Sequence, residues 1–232
     1  MGDFNYFNSL AVYACNLGLD RTERQSLIKS VQADCDKSRT SSKNSWTGDV
    51  KGYSQLHNRP EFANFLTLAS SAVDEYMSGL GVNTQMLDAY FTRTWAVRQE
   101  GDQSVAVHDH SQSHISLCYY PEAHPAHGAF VISPEELPNE FFPNLFSDTD
   151  HQKSGLVDAS NPHTKACYNL KPQDDLLLIF PSKMYHQVRA NADTYPTLAR
   201  YSISSDIVCT LTADALHEHG LPPISQWKKL EK

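Results

Sequence analysis

Residues 104–120 read SVAVHDHSQSHISLCYY, in which two histidines, His108 and His110, lie between two runs rich in β-branched and aromatic residues. Side chains at positions i and i+2 of a strand leave the same face, roughly 7 Å apart along the backbone. Both imidazoles could therefore converge on one ion if the first run forms a strand. The stretch predicts a β-rich fold with a candidate metal site near its centre.

The period of hydrophobic residues is two from about residue 88 onward, as expected for strands. Eight runs have this character, at about residues 89–98, 104–109, 114–120, 128–132, 164–170, 175–180, 185–190 and 197–208. Their number predicts a mainly β fold, a double-stranded β-helix (jelly roll) with N-terminal helices packed on it. Residues 133–163 contain four prolines and predict a long insertion between strands.

Two helices are predicted before the strands. The first begins at Asp20-Arg-Thr-Glu23, a capping-box-like sequence. Residues 38–57 are rich in Ser, Asn, Gly and Lys and predict a loop or flap. A second helix follows Asn58-Arg-Pro-Glu61 and ends at Gly79 and Gly81. Its apolar residues recur at helical spacing and predict one stripe that lies on the sheet, made of Phe62, Phe65, Leu66, Ala69, Ala72, Val73, Tyr76, Met77 and Leu80.

Length and charge restrict the class of protein. We predict a single domain over residues 1–232, with helices and flap in 1–87, the jelly-roll core in 88–210 and a C-terminal tail in 211–232. The formal net charge of −8 argues against a broad nucleic-acid surface, which would need clustered Lys and Arg. Whether the chain forms a homodimer stays open.

Cysteine usage and hydropathy concern the cellular address. The five cysteines are widely spaced and include no Cys-x-x-Cys pair, so we expect reduced thiols instead of a disulfide framework or a structural zinc knuckle. No apolar run approaches the ~20 residues needed to span a bilayer, and the N-terminus lacks the pattern of a signal peptide. We therefore expect a cytoplasmic protein that does not contact a membrane.

A third candidate ligand, His186, lies in the segment FPSKMYHQV at residues 180–188, just after a buried strand. By spacing alone, His108 and His110 could equally be hydrogen-bonded groups in a polar cavity. His186 favours a metal site, because three side chains make a facial set that leaves open positions. The other histidines have loop-like, terminal or strand-start positions and are expected to be ordinary: His57, His114, His124, His127, His151, His163, His217 and His219.

Arg200 and Ser202 have the same parity on the last predicted strand, so both could face one cavity. A guanidinium beside a hydroxyl is well suited to bind a carboxylate, because its fork makes two parallel charge-assisted hydrogen bonds. A lone arginine here would more often be a surface ion pair. Its position shortly after His186 makes that reading less attractive.

Together these segments resemble the Fe(II)- and 2-oxoglutarate-dependent oxygenases, in particular the 2-oxoglutarate-Fe(II) oxygenase group common in bacteria and phages. The resemblance covers roughly residues 45–208, and its carriers are Trp95, Gly101-Asp102, the stretch 108–120, Gly128 to Pro134, Phe180 to His186, and Arg200 to Ser202. It implies a jelly roll with iron at its open mouth, chelated by the keto and C1 carboxylate oxygens of 2-oxoglutarate. It also implies His108 and His186 as metal ligands, and Arg200 with Ser202 as the clamp for the far carboxylate of 2-oxoglutarate.

The sequence departs from this family at the second ligand. The wider superfamily usually has Asp or Glu two residues after the first histidine, where this chain has His110. Asp109 points to the opposite face of a regular strand and could bind only if a bulge turned it inward. We therefore favour three histidine ligands, although whether Asp109 or His110 completes the site stays open. Leu117-Cys118 also replaces the Gly-Val expected in this group.

The resemblance implies an oxygenase that couples decarboxylation of 2-oxoglutarate, giving succinate and CO2, to oxidation of a C–H bond by O2. Hydroxylation of a small molecule is the expected outcome. Substrate contacts are expected from the flap around Trp46 and Tyr53, from Arg93 or Arg98, and from the 133–163 insertion, whereas Trp95 is expected in the core.

Two other functions are compatible with the same residues. One is a three-histidine, cupin-like dioxygenase or isomerase that needs no 2-oxoglutarate. The other is a metal-binding or ligand-binding barrel without turnover. The role of Arg200 distinguishes the first of these from a 2-oxoglutarate enzyme.

Overall fold

Two antiparallel β-sheets form the centre of the molecule. The structure, a computed structural model, describes residues 10–38, 45–46, 53–133, 137, 139–158, 160–161, 164–191, 197–215 and 220–230. Its strands are β1 (Tyr13–Asn16), β2 (Ser45–Trp46), β3 (Leu87–Glu100), β4 (Val105–His108), β5 (Ile115–Tyr120), β6 (Phe130–Ile132), β7 (Tyr168–Leu170), β8 (Leu176–Pro181), β9 (His186–Val188) and β10 (Ala199–Leu211). Its helices are α1 (Arg21–Ser38), α2 (Ala63–Gly79) and α3 (Thr149–Lys153).

The larger sheet has the strand order β1-β8-β5-β10-β3-β2 and the smaller sheet the order β4-β9-β6-β7. All eight predicted strands are present, and the predicted jelly-roll core is confirmed. Along β5, side chains alternate between two apolar clusters. Leu117 and Tyr119 pack toward the helices, whereas Cys118 and Tyr120 pack with Phe130 of the smaller sheet. The larger sheet is therefore covered on both faces, which explains why β5 is buried throughout.

Two short strands were not predicted. β1 pairs with β8 at the edge of the larger sheet, and β2 pairs with β3 at the opposite edge. The expectation of a loop over residues 38–57 is therefore wrong at Ser45–Trp46, and its last two residues, Leu56 and His57, belong to the 3-10 turn Leu56–Asn58. Residues 39–44 and 47–52 of that segment lie outside the described residues. Neither short strand has enough alternating residues to be visible without its partner.

Helix α1 begins as predicted, at a reciprocal capping box. The Glu23 amide donates to Oδ1 of Asp20 at 2.9 Å, and the Asp20 amide donates to Oε2 of Glu23 at 3.0 Å. These two bonds satisfy backbone donors that the first helical turn leaves without partners. Sequence alone was sufficient here because every interacting group is local.

Helix α2 presents its predicted apolar stripe to the larger sheet. Its buried side chains are Phe65, Ala69, Ala72, Val73, Tyr76 and Met77. The sequence also predicts Leu80 in the stripe, but this residue is 52% exposed because the helix ends at Gly79. Gly81 then has φ +83, a left-handed conformation that glycine adopts without a steric penalty.

The region between β6 and β7 is more ordered than a plain loop. It contains the short helix α3, whose N-cap Asp148 accepts a hydrogen bond from the Asp150 amide. Leu145, Phe146 and Val157 make a small apolar cluster of their own. Residues 134–136, 138, 159 and 162–163 of this insertion lie outside the described residues. Within the described ranges, no helix combines the length and apolarity needed to cross a bilayer.

Candidate metal and co-substrate site

Three imidazoles meet at one end of the β4–β9 pair. His108 and His186 are register partners on these strands, whereas His110 lies two residues beyond the end of β4. The backbone amide of His110 is held by the carbonyl of Ser182 at 2.8 Å. The expectation that both His108 and His110 lie on one strand is therefore wrong in detail. The three side chains nevertheless offer nitrogen atoms that all lie within 4.8 Å of one another.

Each of these rings has its Nδ1 opposite a hydrogen-bond acceptor. Nδ1 of His108 donates to the Ala106 carbonyl at 2.8 Å, and Nδ1 of His186 donates to the Met184 carbonyl at 2.9 Å. A carbonyl oxygen can only accept, so Nδ1 carries the proton and the lone pair resides on Nε2. This tautomer leaves Nε2 free to bind a metal, while the other nitrogen is held by an outer acceptor. The donor set therefore fits a divalent transition metal.

Burial also keeps the rings of His186 and His108 neutral. Burial, together with a smaller effect of the neighbouring His108 and His110, lowers the pKa of His186 to about 3. The pKa of His108 is lowered mainly by burial as well. Since only a neutral imidazole can coordinate a metal, these two rings need little deprotonation before an ion binds at neutral pH.

Asp109 is half-buried and contributes no atom to the cluster. A different aspartate, Asp206 of β10, contacts the site instead. Nδ1 of His110 donates to Oδ1 of Asp206 at 2.6 Å, and the Asp206 side chain is completely buried. Burial raises the pKa of Asp206, but hydrogen bonds from His110, Gln112 and Ser116 outweigh this effect and leave it below the usual range. Sequence reasoning missed this residue.

Arg200 and Ser202 lie on the wall of the same cavity as the three histidines. Arg200 is 1% exposed, and its guanidinium donates to the Gly128 carbonyl at 2.8 Å and to Oε1 of Gln99. Within the described residues, its buried Nε has no hydrogen-bond acceptor. Such a donor, aligned with the remaining N–H groups of the fork, suits a carboxylate ligand.

The rest of the cavity wall is mostly apolar. It is formed by Val97, Val105, Leu117, Cys118, Phe130, Phe180 and Val188, with Ser204 beside Ser202. Trp95 is 4% exposed, as expected for a core residue, yet its ring also lines the cavity, 5.6 Å from that of His110. The wall can therefore exclude water around a small organic molecule while few polar groups orient it.

The other candidate substrate contacts differ in position. Arg93 lies over the Trp95 ring at 5.1 Å, next to the cavity. Arg98 has the opposite parity on β3, and it pairs with Asp36 of α1 and with Glu100, so it does not line the cavity. Tyr53 stacks under Arg59, and the side chain of Trp46 lies outside the described residues.

The remaining histidines are away from the cluster where they are described. They contact backbone or hydroxyl groups. His57 contacts the Thr94 hydroxyl, and Nδ1 of His114 accepts a hydrogen bond from the Cys209 amide. Nδ1 of His127 accepts from the His124 amide, and the His151 ring contacts the Leu145 carbonyl. His163, His217 and His219 lie outside the described residues.

Comparison with known proteins agrees with this geometry. Residues 93–206 match the family described as "Putative 2OG-Fe(II) oxygenase". That segment contains the three clustered histidines, Arg200 and Ser202. No curated protein matches the chain in sequence.

Solved structures of low sequence identity share the fold. HygX from Streptomyces hygroscopicus, with nickel and 2-oxoglutarate bound, is 14% identical and aligns over 93% of each chain, with a TM-score of 0.57. A prolyl-4-hydroxylase from Pseudomonas putida is 10% identical over 86% of this chain and 89% of its own, with a TM-score of 0.50. A 2OG-Fe(II) oxygenase from Burkholderia pseudomallei aligns with 65% of this chain and with 59% of its own length, a little under two thirds, at 13% identity; its TM-score of 0.44 is too low to count as a shared fold.

The family match and the jelly-roll fold thus agree on one class of enzyme, whose metal and co-substrate are Fe(II) and 2-oxoglutarate. The match over residues 93–206 points to the non-haem iron, 2-oxoglutarate-dependent oxygenases as the class of this domain.

Proposed function

We propose that this protein oxidises a C–H bond of a small organic molecule and converts 2-oxoglutarate and O2 to succinate and CO2. One oxygen atom enters succinate and the other enters the substrate as a hydroxyl group, so the atoms balance. The observation that supports this reaction best is the shared cavity of three clustered imidazoles and the buried Arg200. A metal site and a carboxylate site next to each other are what 2-oxoglutarate requires.

In this proposal His108, His110 and His186 hold the metal through Nε2. When bound, Fe(II) with 2-oxoglutarate supplies the activation of O2. The acceptors behind the rings, the Ala106 and Met184 carbonyls, fix the orientation of two of the lone pairs before any ion arrives. A preorganised set of this kind avoids reorganisation when the metal binds.

Arg200 and Ser202 bind the far carboxylate of 2-oxoglutarate in this proposal. Gln99 and the Gly128 carbonyl each take one N–H of the Arg200 fork and hold it in place. Because Arg200 is buried, its charge is expensive without a partner, and an anionic co-substrate provides one. This favours a 2-oxoglutarate enzyme over a cupin-like dioxygenase, which has no use for a buried arginine at the cavity.

The substrate is a small molecule in this proposal because, beyond the histidines and the co-substrate clamp, the cavity wall is mostly apolar. Val97, Val105 and Trp95 form part of the apolar wall of this cavity. HygX, a protein of similar fold, has been crystallised with nickel, 2-oxoglutarate and hygromycin B bound together. A comparable organic ligand beside the metal is therefore compatible with this architecture.

Anaerobic titration tests the proposal. Apoprotein is loaded with Fe(II), and 2-oxoglutarate is then added while the visible spectrum is recorded. We expect a charge-transfer band that saturates with 2-oxoglutarate, and succinate release once O2 and a substrate are admitted. The His186→Ala variant is the control and should give no band. If the wild-type protein binds Fe(II) but gives no band at saturating 2-oxoglutarate, the proposal is wrong and the cupin-like reading is favoured.

A further inference from the structure

The buried carboxylate of Asp206 is positioned directly behind the unusual ligand. Asp206 shares the strand face of Arg200, Ser202 and Ser204, the polar face of β10 that lines the cavity. A register shift between Asp206 and Ile207 alters the β10–β3 pairing just there. Irregularities of this kind commonly re-aim side chains next to functional sites.

Several donors converge on this carboxylate. His110 donates to Oδ1 at 2.6 Å, the Ser116 hydroxyl donates to Oδ1 at 3.2 Å, and the Gln112 amide donates to Oδ2 at 3.1 Å. Ser116 is in turn 2.8 Å from the hydroxyl of Ser182, whose backbone carbonyl holds the amide of His110. The backbone and the ring of His110 are thus fixed by one connected network. A completely buried carboxylate is costly unless its oxygens are satisfied in this way.

The charge of this site gives the network a function. Two neutral imidazoles and one carboxylate around a divalent ion leave a net charge of +1, whereas three neutral imidazoles leave +2. A buried centre of charge +2 is less favourable than one of charge +1, because the protein interior has a low dielectric constant and screens the charge poorly. The carboxylate of Asp206, one imidazole away, brings the sum back to +1. It also makes the His110 ring a stronger ligand for the metal, since a hydrogen bond to an anion increases the electron density on Nε2.

We infer that Asp206 is the positioning residue of the metal site, which supplies through His110 the negative charge that a carboxylate ligand would otherwise contribute. This inference rests on the proposed function, since it takes His110 as a ligand. Asp206 itself does not touch the metal or the substrate. The reactive centre therefore keeps an aspartate, displaced from the ligand position to the position behind the ligand.

Metal affinity, measured without turnover, tests this role. Co(II) is titrated into the wild-type protein, Asp206→Asn and Asp206→Ala in competition with a chromophoric chelator. Asn can still accept the proton of Nδ1 but has no charge. We expect the affinity to fall roughly 10–100-fold in Asp206→Asn and at least as much in Asp206→Ala. The Co(II) absorption spectrum of both variants should shift, since the field of His110 changes.

Asp175→Asn is the matched control. Asp175 is also a buried carboxylate of the larger sheet region, and it accepts hydrogen bonds from the Tyr119 hydroxyl and the Gly18 amide, both at 2.7 Å. We expect its substitution to affect stability but to leave Co(II) affinity within about twofold, because Asp175 shares no hydrogen-bond partner with the three histidines.

The outcomes separate the two levels of inference. If the wild-type protein does not bind Co(II), the metal site and this role of Asp206 both fail. If it binds and Asp206→Asn binds equally tightly, only the role of Asp206 is overturned. If the Asp206 variants do not fold, NMR of the wild-type protein still tests the inference. In Zn(II)-loaded protein, NMR of the imidazoles should detect a proton on Nδ1 of His110, assigned by its loss in His110→Gln, and a proton on Nε2 instead would overturn the inference.

Discussion

His108 and His186 face each other as register partners across the antiparallel strands β4 and β9, with ring centroids 4.2 Å apart. One residue comes from each side of a hydrogen-bonded pair, so the separation of the rings is set by backbone pairing and not by flexible loops. Cross-strand neighbours are held about 5 Å apart by the ladder itself. Two of the three proposed ligands are therefore preorganised by the sheet.

His186→Ala should abolish metal binding and leave the fold intact. The side chain is 4% exposed and stacks on Phe130, so its loss opens a small cavity and removes the hydrogen bond to the Met184 carbonyl, but it breaks no hydrogen bond between backbone groups. We expect Ni(II) affinity to fall by about 100-fold or more, beyond the effect of losing an outer partner. Calorimetric titration measures it, with His151→Gln as a control histidine away from the cluster. Retention of tight binding would remove His186 from the ligand set.

Asp109→Asn and His110→Gln should have opposite consequences, because the structure includes only His110 in the cluster. We expect Ni(II) affinity to stay within about twofold in Asp109→Asn and to fall about 100-fold or more in His110→Gln. The same titration measures both. A larger loss in Asp109→Asn would mean that the strand turns its carboxylate inward when metal binds.

Local sequence signals account for most of the fold. The capping box at Asp20 and Glu23 and the alternation along β5 and β8 are visible without knowledge of any partner. β1 and β2 were missed because each is short and is a strand only through its neighbour, β8 or β3. Their existence depends on tertiary pairing, which the period of hydrophobic residues does not encode.

Only part of the candidate site could be predicted from the sequence, because the rest of it also depends on tertiary pairing. His186 and Arg200 belong to motifs with a recognisable chemistry, whereas Asp206 is one acidic residue among 27. The parity that joins Arg200 to Ser202 extends to Asp206 and could have indicated it. Gln99 is different, because it becomes a partner of Arg200 only through the β3–β10 register, in which the two residues lie opposite each other.

Arg200→Lys should weaken 2-oxoglutarate binding more than it affects the metal. A lysine cannot reach Gln99, the Gly128 carbonyl and a carboxylate at once, because it lacks the planar fork. Loss of a charge-assisted hydrogen bond costs about 1.5–3 kcal/mol, so we expect KM for 2-oxoglutarate to rise roughly 10–100-fold. Steady-state succinate formation measures it, with exposed Arg189→Lys as the control. An unchanged KM would exclude Arg200 from the clamp.

Acid should destabilise the protein in part through His127. Burial, then Arg200 and His124, lower its pKa from 6.5 to about 4. The unfolded chain therefore binds a proton that the folded chain does not, and stability falls as pH drops from about 6.5 toward 4. We expect His127 to contribute up to about 1.4 kcal/mol of this loss per pH unit. Urea unfolding at several pH values should give a flatter dependence for His127→Gln than for the wild-type protein, and parallel curves would contradict the assignment.

Gly128→Ala should destabilise the fold and also disturb the co-substrate site. A Cβ at Gly128 would lie 1.8 Å from the Arg189 carbonyl oxygen and 2.4 Å from that of Ala190, so two backbone segments must separate. We expect the free energy of unfolding to fall by about 3 kcal/mol or more, at the upper end for overpacking. Because the Gly128 carbonyl also accepts from Arg200, KM for 2-oxoglutarate should rise in the folded fraction.

Gly79→Ala is the matched control for this change, since a Cβ there meets no atom within 4 Å at the end of α2. We expect it to stabilise the protein by up to about 1 kcal/mol, because alanine favours the helix and restricts the unfolded chain. Denaturant titration of both variants gives the comparison. If Gly128→Ala were as stable as Gly79→Ala, the segment before β6 and the segment after β9 could move apart freely at Gly128. The close backbone contact at Gly128 would then not constrain the position of its carbonyl, which accepts a hydrogen bond from Arg200.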